Sequence, residues 1–311
     1  MSDPIPPHVT RQMRVRRRRV AVGGALLLLA VVVLGVFVLW PAKSHPAPAF
    51  ASISVVDQAA AKAAANASAG AAAASEVEQR AWAIGPYATL IPATDGVRSG
   101  GDQRAIVALT FDDGPSQYTY DVLAILAKYK VRATFFVLGR YAEDLPDAVI
   151  KANQAGHVIA NHTWAHDSMV AQSNKVITQR LSDTNAVIER LTGRRPTLFR
   201  PPFGDFDART NRQTRKAGLL SILWSVDSND WQAPSTQDIV DNVLNAPGLG
   251  SGAIILLHDG NGDRSSTVNA LPRILDGLIA RGLRPVTVPE LLRSAPPKTT
   301  QPGDFALSRY S

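Results

Sequence analysis

Cysteine does not occur in the 311 residues. Disulfides and thiolate metal sites are therefore excluded, while the compartment is left open. Charge is scarce where a nucleic-acid-binding domain would carry it. The net charge is +7, but six arginines (Arg11, Arg14, Arg16, Arg17, Arg18 and Arg19) against Asp3 place +5 of it within the first 20 residues. The remaining +2 is spread over the rest of the chain. That is too little for the basic face by which folded domains hold nucleic acid. No nucleic-acid partner is expected, and nothing in the sequence points to a protein partner. Residues 20–40 lack charge altogether and leave no polar face.

That charge-free run is the first positive signal. About 20 apolar residues let a helix cross a bilayer, so 20–40 reads as a transmembrane signal-anchor. The arginine cluster on one side and Trp40 at the far boundary fit the positive-inside rule and an interfacial aromatic. Residues 1–19 are then a cytoplasmic basic tail. The protein is expected in the cell membrane as a single-pass chain with its bulk outside. Secretion after signal cleavage is the alternative. A signal peptide's apolar core is normally roughly 7–15 residues, shorter than this run, and Ala47-Pro48-Ala49 has a proline inside its small-residue site. Residues 41–101 begin Pro-rich and continue nearly all Ala over 59–74. They read as a linker, disordered or helical, that lifts a domain off the membrane. Residues 297–311 read as a flexible tail.

Between 102 and 296 strand-like and helix-like patterns alternate. Strands are expected at 104–111, 132–138, 157–161, 197–200, 219–226, 252–258 and 284–288. Helices are expected near 118–129, 146–155, 172–192, 207–217, 236–245 and 268–281. Such alternation implies an α/β fold with a parallel sheet, either a barrel or a doubly wound sheet. In both, functional side chains gather at the carboxyl ends of the strands.

Five strand ends carry polar clusters. Thr110-Phe111-Asp112-Asp113-Gly114-Pro115 follows a buried apolar strand. Alone it reads as a helix cap or an Asx-turn. Where the backbone bends, however, both carboxylates can reach one pocket, and a cation on one of them would relieve their repulsion. His162-Thr163-Trp164-Ala165-His166 follows the next-but-one strand, with the two imidazoles spaced to share one face of a helical turn. With Asp113 as third ligand they form the donor set of a catalytic zinc site. Arg200-Pro201-Pro202-Phe203-Gly204 makes a tight loop. Arg200 would need a carboxylate partner, for which Asp112 is the candidate. Asp227-Ser228-Asn229-Asp230-Trp231 offers a flat ring on which a sugar can stack. Leu256-Leu257-His258-Asp259 carries, where its buried strand ends, a histidine that Asp230 could tune into a proton donor.

These five clusters, in this order, resemble the polysaccharide deacetylase family, the NodB-homology domain of carbohydrate esterase family 4. The resemblance spans about 104–290. It implies a distorted (β/α)7 TIM-like barrel and metal-dependent removal of N-acetyl groups from GlcNAc-containing polymers. It implies Asp113, His162 and His166 as ligands of a divalent metal, usually zinc and in some members cobalt or nickel. It implies Asp112 as general base, oriented by Arg200, and His258 as general acid, tuned by Asp230. The Phe203 N–H would hold the oxyanion, and Trp231 and Leu256 would wall the acetyl and sugar pocket. The family often has Tyr where this chain has Phe203. With the anchor, the expectation is a deacetylase of envelope polysaccharide, peptidoglycan first and chitin-type oligomers second. The alternatives are an O-acetyl esterase on xylan or another acetylated glycan, and a non-catalytic glycan-binding module. Substrate contacts are expected from loops at 117–120, 140–144 and 260–266.

Overall fold

β1 (Ile106–Asp112) runs through the centre of the molecule and is buried along its whole length. A strand covered on both faces has no solvent side, which is why its sequence is apolar without alternation. The computed structural model describes residues 96–170 and 172–297. In it β1 is flanked by β2 (Thr134–Val137) on one side and β7 (Ile254–His258) on the other. The sheet continues through β3 (Val158–Asn161), β4 (Leu198–Phe199) and β5 (Leu220–Ser221), and beyond β7 through β6 (Val226–Asp227). β8 (Arg284–Val286) pairs with the first half of β1, below β2. Every pairing among these eight strands is parallel.

The residues of β1 alternate between two cores, as strand geometry requires. Val107, Leu109 and Phe111 face outward into the larger cluster. There they meet α1 (Gln117–Tyr129), α3 (Pro146–Gln154), α4 (Asn174–Thr192), α6 (Thr236–Leu244) and α7 (Ser265–Ala280). Ile106 and Ala108 face inward with Phe136, Ala160, Leu198, Leu220, Ile222, Ile254 and Val286. Val288, Leu291 and Leu292 of α8 (Val288–Ser294) complete that inner cluster. Two and four residues beyond Ala108 on this inward row come Thr110 and Asp112, toward the carboxyl end of β1.

The expected strand over 219–226 is two strands. β5 pairs with β4 and β6 pairs with β7, so a single segment closes the curled sheet by changing neighbour halfway. The backbone between them stays paired. Ile222 N donates to Phe199 O at 2.8 Å, Leu223 N to Val97 O at 2.8 Å, and Ser225 N to Ile254 O at 3.0 Å. The result is a curled half-barrel of parallel strands in an α/β fold, consistent with the distorted (β/α)7 barrel that the resemblance implied.

Other differences are local. Residues 140–144, expected as a substrate loop, lie in the short helix α2 (Gly139–Asp144). α8 was not anticipated, and α5 (Ala208–Lys216) falls within its expected span. Residues just ahead of 102 also pair with the sheet. Val97 is buried and bridges Ile222, and Gly100 N donates to Gly252 O at 2.7 Å. The expected basic tail, the 20–40 anchor, linker residues 41–95 and residues 298–311 lie outside the described residues. Among the described residues, no helix is long and apolar enough to cross a membrane.

Candidate active site

The mouth of the barrel is assembled from loops whose backbones are bent against their preference. Eight non-glycine residues among the described ones have left-handed φ, and six of them sit at strand-end loops here. They are Asp113 (69°), Thr163 (71°), His166 (61°), Phe203 (60°), Asn229 (52°) and Asn261 (57°). L-residues avoid this region, and its clustering is a mark of functional sites. The turn at Asp113 explains how adjacent carboxylates share a pocket. Asp112 follows the inward row of β1, and the left-handed residue after it swings its own side chain to the same side.

Asp113, His162 and His166 form a trio whose ligand atoms all lie within 4.8 Å of one another. Asp113 Oδ1 is 3.3 Å from His162 Nε2 and 3.2 Å from His166 Nε2. It is buried and makes no hydrogen bond. His162 Nδ1 contacts Arg200 O at 2.7 Å. A carbonyl only accepts, so Nδ1 carries the proton, and in a neutral ring Nε2 is a bare lone pair aimed at the carboxylate. Electron-pair donors converging in this way, two imidazoles and one carboxylate, fit a divalent cation with an open position. Burial works against ionisation of Asp113, but the His162 contact and the charges of His162, His166 and His258 hold its carboxyl well below the usual range. Asn261 Nδ2 contacts its other oxygen, Oδ2, at 3.4 Å.

The two histidines meet through a loop and not through the helical turn that their spacing suggested. Asn161 Oδ1 accepts from Thr163 N at 2.8 Å, and Thr163 Oγ1 accepts from His166 N at 3.2 Å. With Thr163 and His166 both left-handed, this double turn places the ring centroids 5.2 Å apart. Asn161 is itself anchored, its Nδ2 donating to Leu181 O and to Asn185 Oδ1 on α4 at 3.0 and 2.7 Å.

Arg200 is wholly buried inside the barrel. Nη1 donates to Asp112 Oδ1 at 2.8 Å and to Thr110 Oγ1 at 2.9 Å. Nε and Nη2 donate to Ile222 O and Leu223 O at 3.2 and 3.0 Å, the carbonyls freed where β5 gives way to β6. The guanidinium lies over Phe136 at 4.2 Å and near Trp224 at 5.6 Å, a stacked arrangement that suits Arg and not Lys. Asp112 Oδ2 faces the metal trio, 3.8 Å from His162 Nε2.

On the other flank, His258 Nδ1 and Asp230 Oδ1 are 2.6 Å apart. Burial opposes charge on the ring, but the charge of Asp230 and its hydrogen bond, aided by the charges of Asp112 and Asp113, outweigh it and raise the pKa to about 9. Burial likewise works against Asp230, and the charge and bonds of His258 hold its carboxyl low. Phe203 is 69 % exposed with its ring edge-on to His166. Trp231 is 51 % exposed on the short helix Asp230–Gln232. Leu256 is buried on the inward row of β7, opposite Thr110.

Nine of the ten expected site residues therefore lie at the carboxyl ends of the strands or on the loops that follow them, and Leu256 lies in the middle of β7. Several buried polar residues around them were not anticipated. Asp259 is one. Burial pushes its carboxyl up to about 7, with the Thr119 hydroxyl pulling the other way and Asp113 and Asp112 adding to the rise. Its position after His258 was the available signal. Arg264 and Thr267 are others, and no local pattern marks them.

A model of the polysaccharide deacetylase family matches residues 99–222. A peptidoglycan-N-acetylglucosamine deacetylase of Bacillus cereus is 41 % identical over 196 residues, covering 62 % of this chain and 90 % of that protein. A chitooligosaccharide deacetylase of Rhizobium leguminosarum bv. trifolii is 36 % identical over 204 residues, covering 62 % and 94 %. The crystal structure of a peptidoglycan N-acetylglucosamine deacetylase superposes with a TM-score of 0.61 at 33 % identity, covering 65 % of this chain and 94 % of that one. With sequence, fold and strand-end clusters in agreement, the chain belongs to the polysaccharide deacetylase family.

Proposed function

We propose that the protein is a membrane-anchored, metal-dependent deacetylase that removes N-acetyl groups from GlcNAc-containing envelope polysaccharide, with peptidoglycan as the favoured polymer. One observation carries the reading. A metal-ligand trio is flanked by a carboxylate held by Arg200 and by a raised-pKa histidine held by Asp230. The polymer is supported by the relatives named as peptidoglycan-N-acetylglucosamine deacetylases at 41 % and 35 % identity. The anchor is supported by the charge-free run at 20–40 behind its arginine cluster.

Asp113, His162 and His166 would hold the cation, zinc by their donor chemistry with cobalt or nickel as substitutes. When bound it supplies Lewis acidity to the acetyl carbonyl and to the attacking water. Asp112 Oδ2 takes the proton of that water, and Arg200 keeps the carboxylate aimed. The bond from water oxygen to carbonyl carbon forms as the carbonyl π pair moves onto oxygen. The Phe203 N–H donates to this oxyanion, an effect worth a few kcal/mol per preorganised donor, about 3 on average. The carbon–nitrogen bond then breaks. The sugar nitrogen is too basic to leave as an anion, so His258 gives it a proton from Nε2 while Nδ1 stays on Asp230. The products are acetate and a free amino sugar. Trp231 and Phe203 offer exposed rings for sugar faces.

Acetate release from peptidoglycan, chitooligosaccharides and acetylxylan, with and without a chelator, tests the reading. Release from the N-acetylated substrates that stops on chelation is expected. Release from acetylxylan alone would make the protein an O-acetyl esterase. Release from none would reduce it to a glycan-binding module. Fractionation of the full-length chain tests the anchor, and a protein found only in the soluble fraction would remove it.

A further inference from the structure

Two buried polar side chains beyond β7 have no part in the mechanism above. Arg264 is 6 % exposed. Its Nε donates to Gly260 O at 2.7 Å, Nη2 to Asn261 O at 3.1 Å, and Nη1 to Asp230 O at 3.2 Å. One guanidinium thus ties the loop after His258 to the main chain of Asp230. Thr267, in the first turn of α7, is 1 % exposed, and its Oγ1 donates to Asp230 Oδ2 at 2.8 Å. That oxygen also accepts from His258 N at 2.8 Å, while Oδ1 takes the ring Nδ1 at 2.6 Å. The carboxylate is held at both oxygens and its main chain at the carbonyl. Turning the carboxylate would strand the buried Thr267 hydroxyl, and a buried donor left unpaired is costly.

We propose that Arg264 and Thr267 are positioning residues for proton delivery by His258. Together they clamp Asp230 so that the outer imidazole nitrogen stays aimed at the leaving nitrogen. The proposal rests on His258 being the general acid. It deepens that role by naming what fixes the acid in place. Both side chains are buried behind the pair and act through it.

The test compares two substrates with opposite demands. A chitooligosaccharide releases a basic amine that needs a proton. An aryl acetate ester such as 4-nitrophenyl acetate releases a weakly basic phenolate that does not. Thr267→Val should lose about tenfold in kcat on the oligosaccharide at unchanged KM, the effect of one hydrogen bond to a charged group. It should keep its activity on the aryl ester. Thr267→Ser should restore the amide activity. Arg264→Lys, which keeps the charge but not the three-way fork, should show the same selectivity as Thr267→Val. The His258 Nδ1–H resonance should move in Thr267→Val. Equal loss on both substrates, or no loss on either while His258→Ala fails only on the oligosaccharide, overturns the clamp and leaves the general acid standing. A His258→Ala variant that treats the two substrates alike removes the general acid, and the clamp with it.

Discussion

Asp112 and Arg200 meet at 2.8 Å inside the barrel, where neither is open to solvent. A buried ion pair contributes modestly as a whole, but removing one half leaves a lone charge. The arginine's other donors go to Thr110, Ile222 and Leu223, so the pair is also a joint between β1 and the bend that closes the sheet.

Asp112→Asn should therefore separate chemistry from folding. The amide keeps an oxygen for Arg200 but cannot take the water's proton. Acetate release should drop by roughly 10² to 10⁴, with metal content unchanged by elemental analysis. Arg200→Met should lose on the order of 3–5 kcal/mol in denaturant unfolding. Near-wild-type turnover in Asp112→Asn would end its assignment as the base.

As the proposed general acid, His258 paired with Asp230 should set a basic limit on activity. With its pKa raised to about 9, the ring holds its proton at neutral pH and loses it as pH rises through that value. In the metal-free protein, NMR titration of the ring should give a midpoint near 9, and Asp230→Asn should move it down toward about 6.5. The same sign governs stability. The contribution of the pair is full below the unfolded value of about 6.5 and is lost as pH rises through the folded one. An unmoved midpoint in Asp230→Asn would show that Asp230 does not tune the ring.

His162 and His166 should differ when replaced. His162 also bonds the Arg200 carbonyl and is buried, whereas His166 is partly open. His166→Ala should lose bound metal with little change in melting temperature. His162→Ala should lose metal and stability together. Elemental analysis beside thermal melting distinguishes them, and full metal occupancy in either variant would exclude that histidine as a ligand.

His157 lies away from the site and should govern acid stability. Burial and the nearby Arg132 charge lower its pKa to about 4, and its Nδ1 accepts from Ala133 N at 3.0 Å. The unfolded chain takes up a proton that the folded one refuses. Stability is complete above about 6.5 and falls as pH drops toward the folded value, by an amount on the order of 3 kcal/mol. His157→Asn, which can keep an acceptor there without titrating, should flatten the pH dependence of the unfolding free energy over that range. An unchanged dependence would assign the acid loss to other groups.

The barrel was legible in the sequence because strand and helix periods alternate and each strand ends on polar residues. The apolar run before Asp112 could only be a fully covered strand, and it is one. The pairing of Asp112 with Arg200 followed from the need to neutralise a buried charge, and that of Asp230 with His258 from the tuning a carboxylate gives a strand-end imidazole. What could not be read depends on contacts distant in sequence. Residues 219–226 look like one strand because apolar content does not reveal a change of neighbour. The turn carrying His162 and His166 looks helical because spacing alone is blind to the left-handed φ at Thr163 and His166. Arg264 and Thr267 lie in ordinary polar surroundings in the sequence, and only their approach to Asp230 gives them meaning.

The bend between β5 and β6 also constrains how the molecule can assemble. Until residues 220–227 dock along both β4 and β7, Arg200 is without the Ile222 and Leu223 carbonyls that help to hold it. Arg200 thereby joins that bend, 22 and 23 positions away, to Asp112 and Thr110 on β1, 88 and 90 positions away. Docking of this segment and the hold on Asp112, the proposed base, are therefore linked through Arg200. A chain with this segment undocked would leave the buried guanidinium two acceptors short, and a buried donor without a partner is costly.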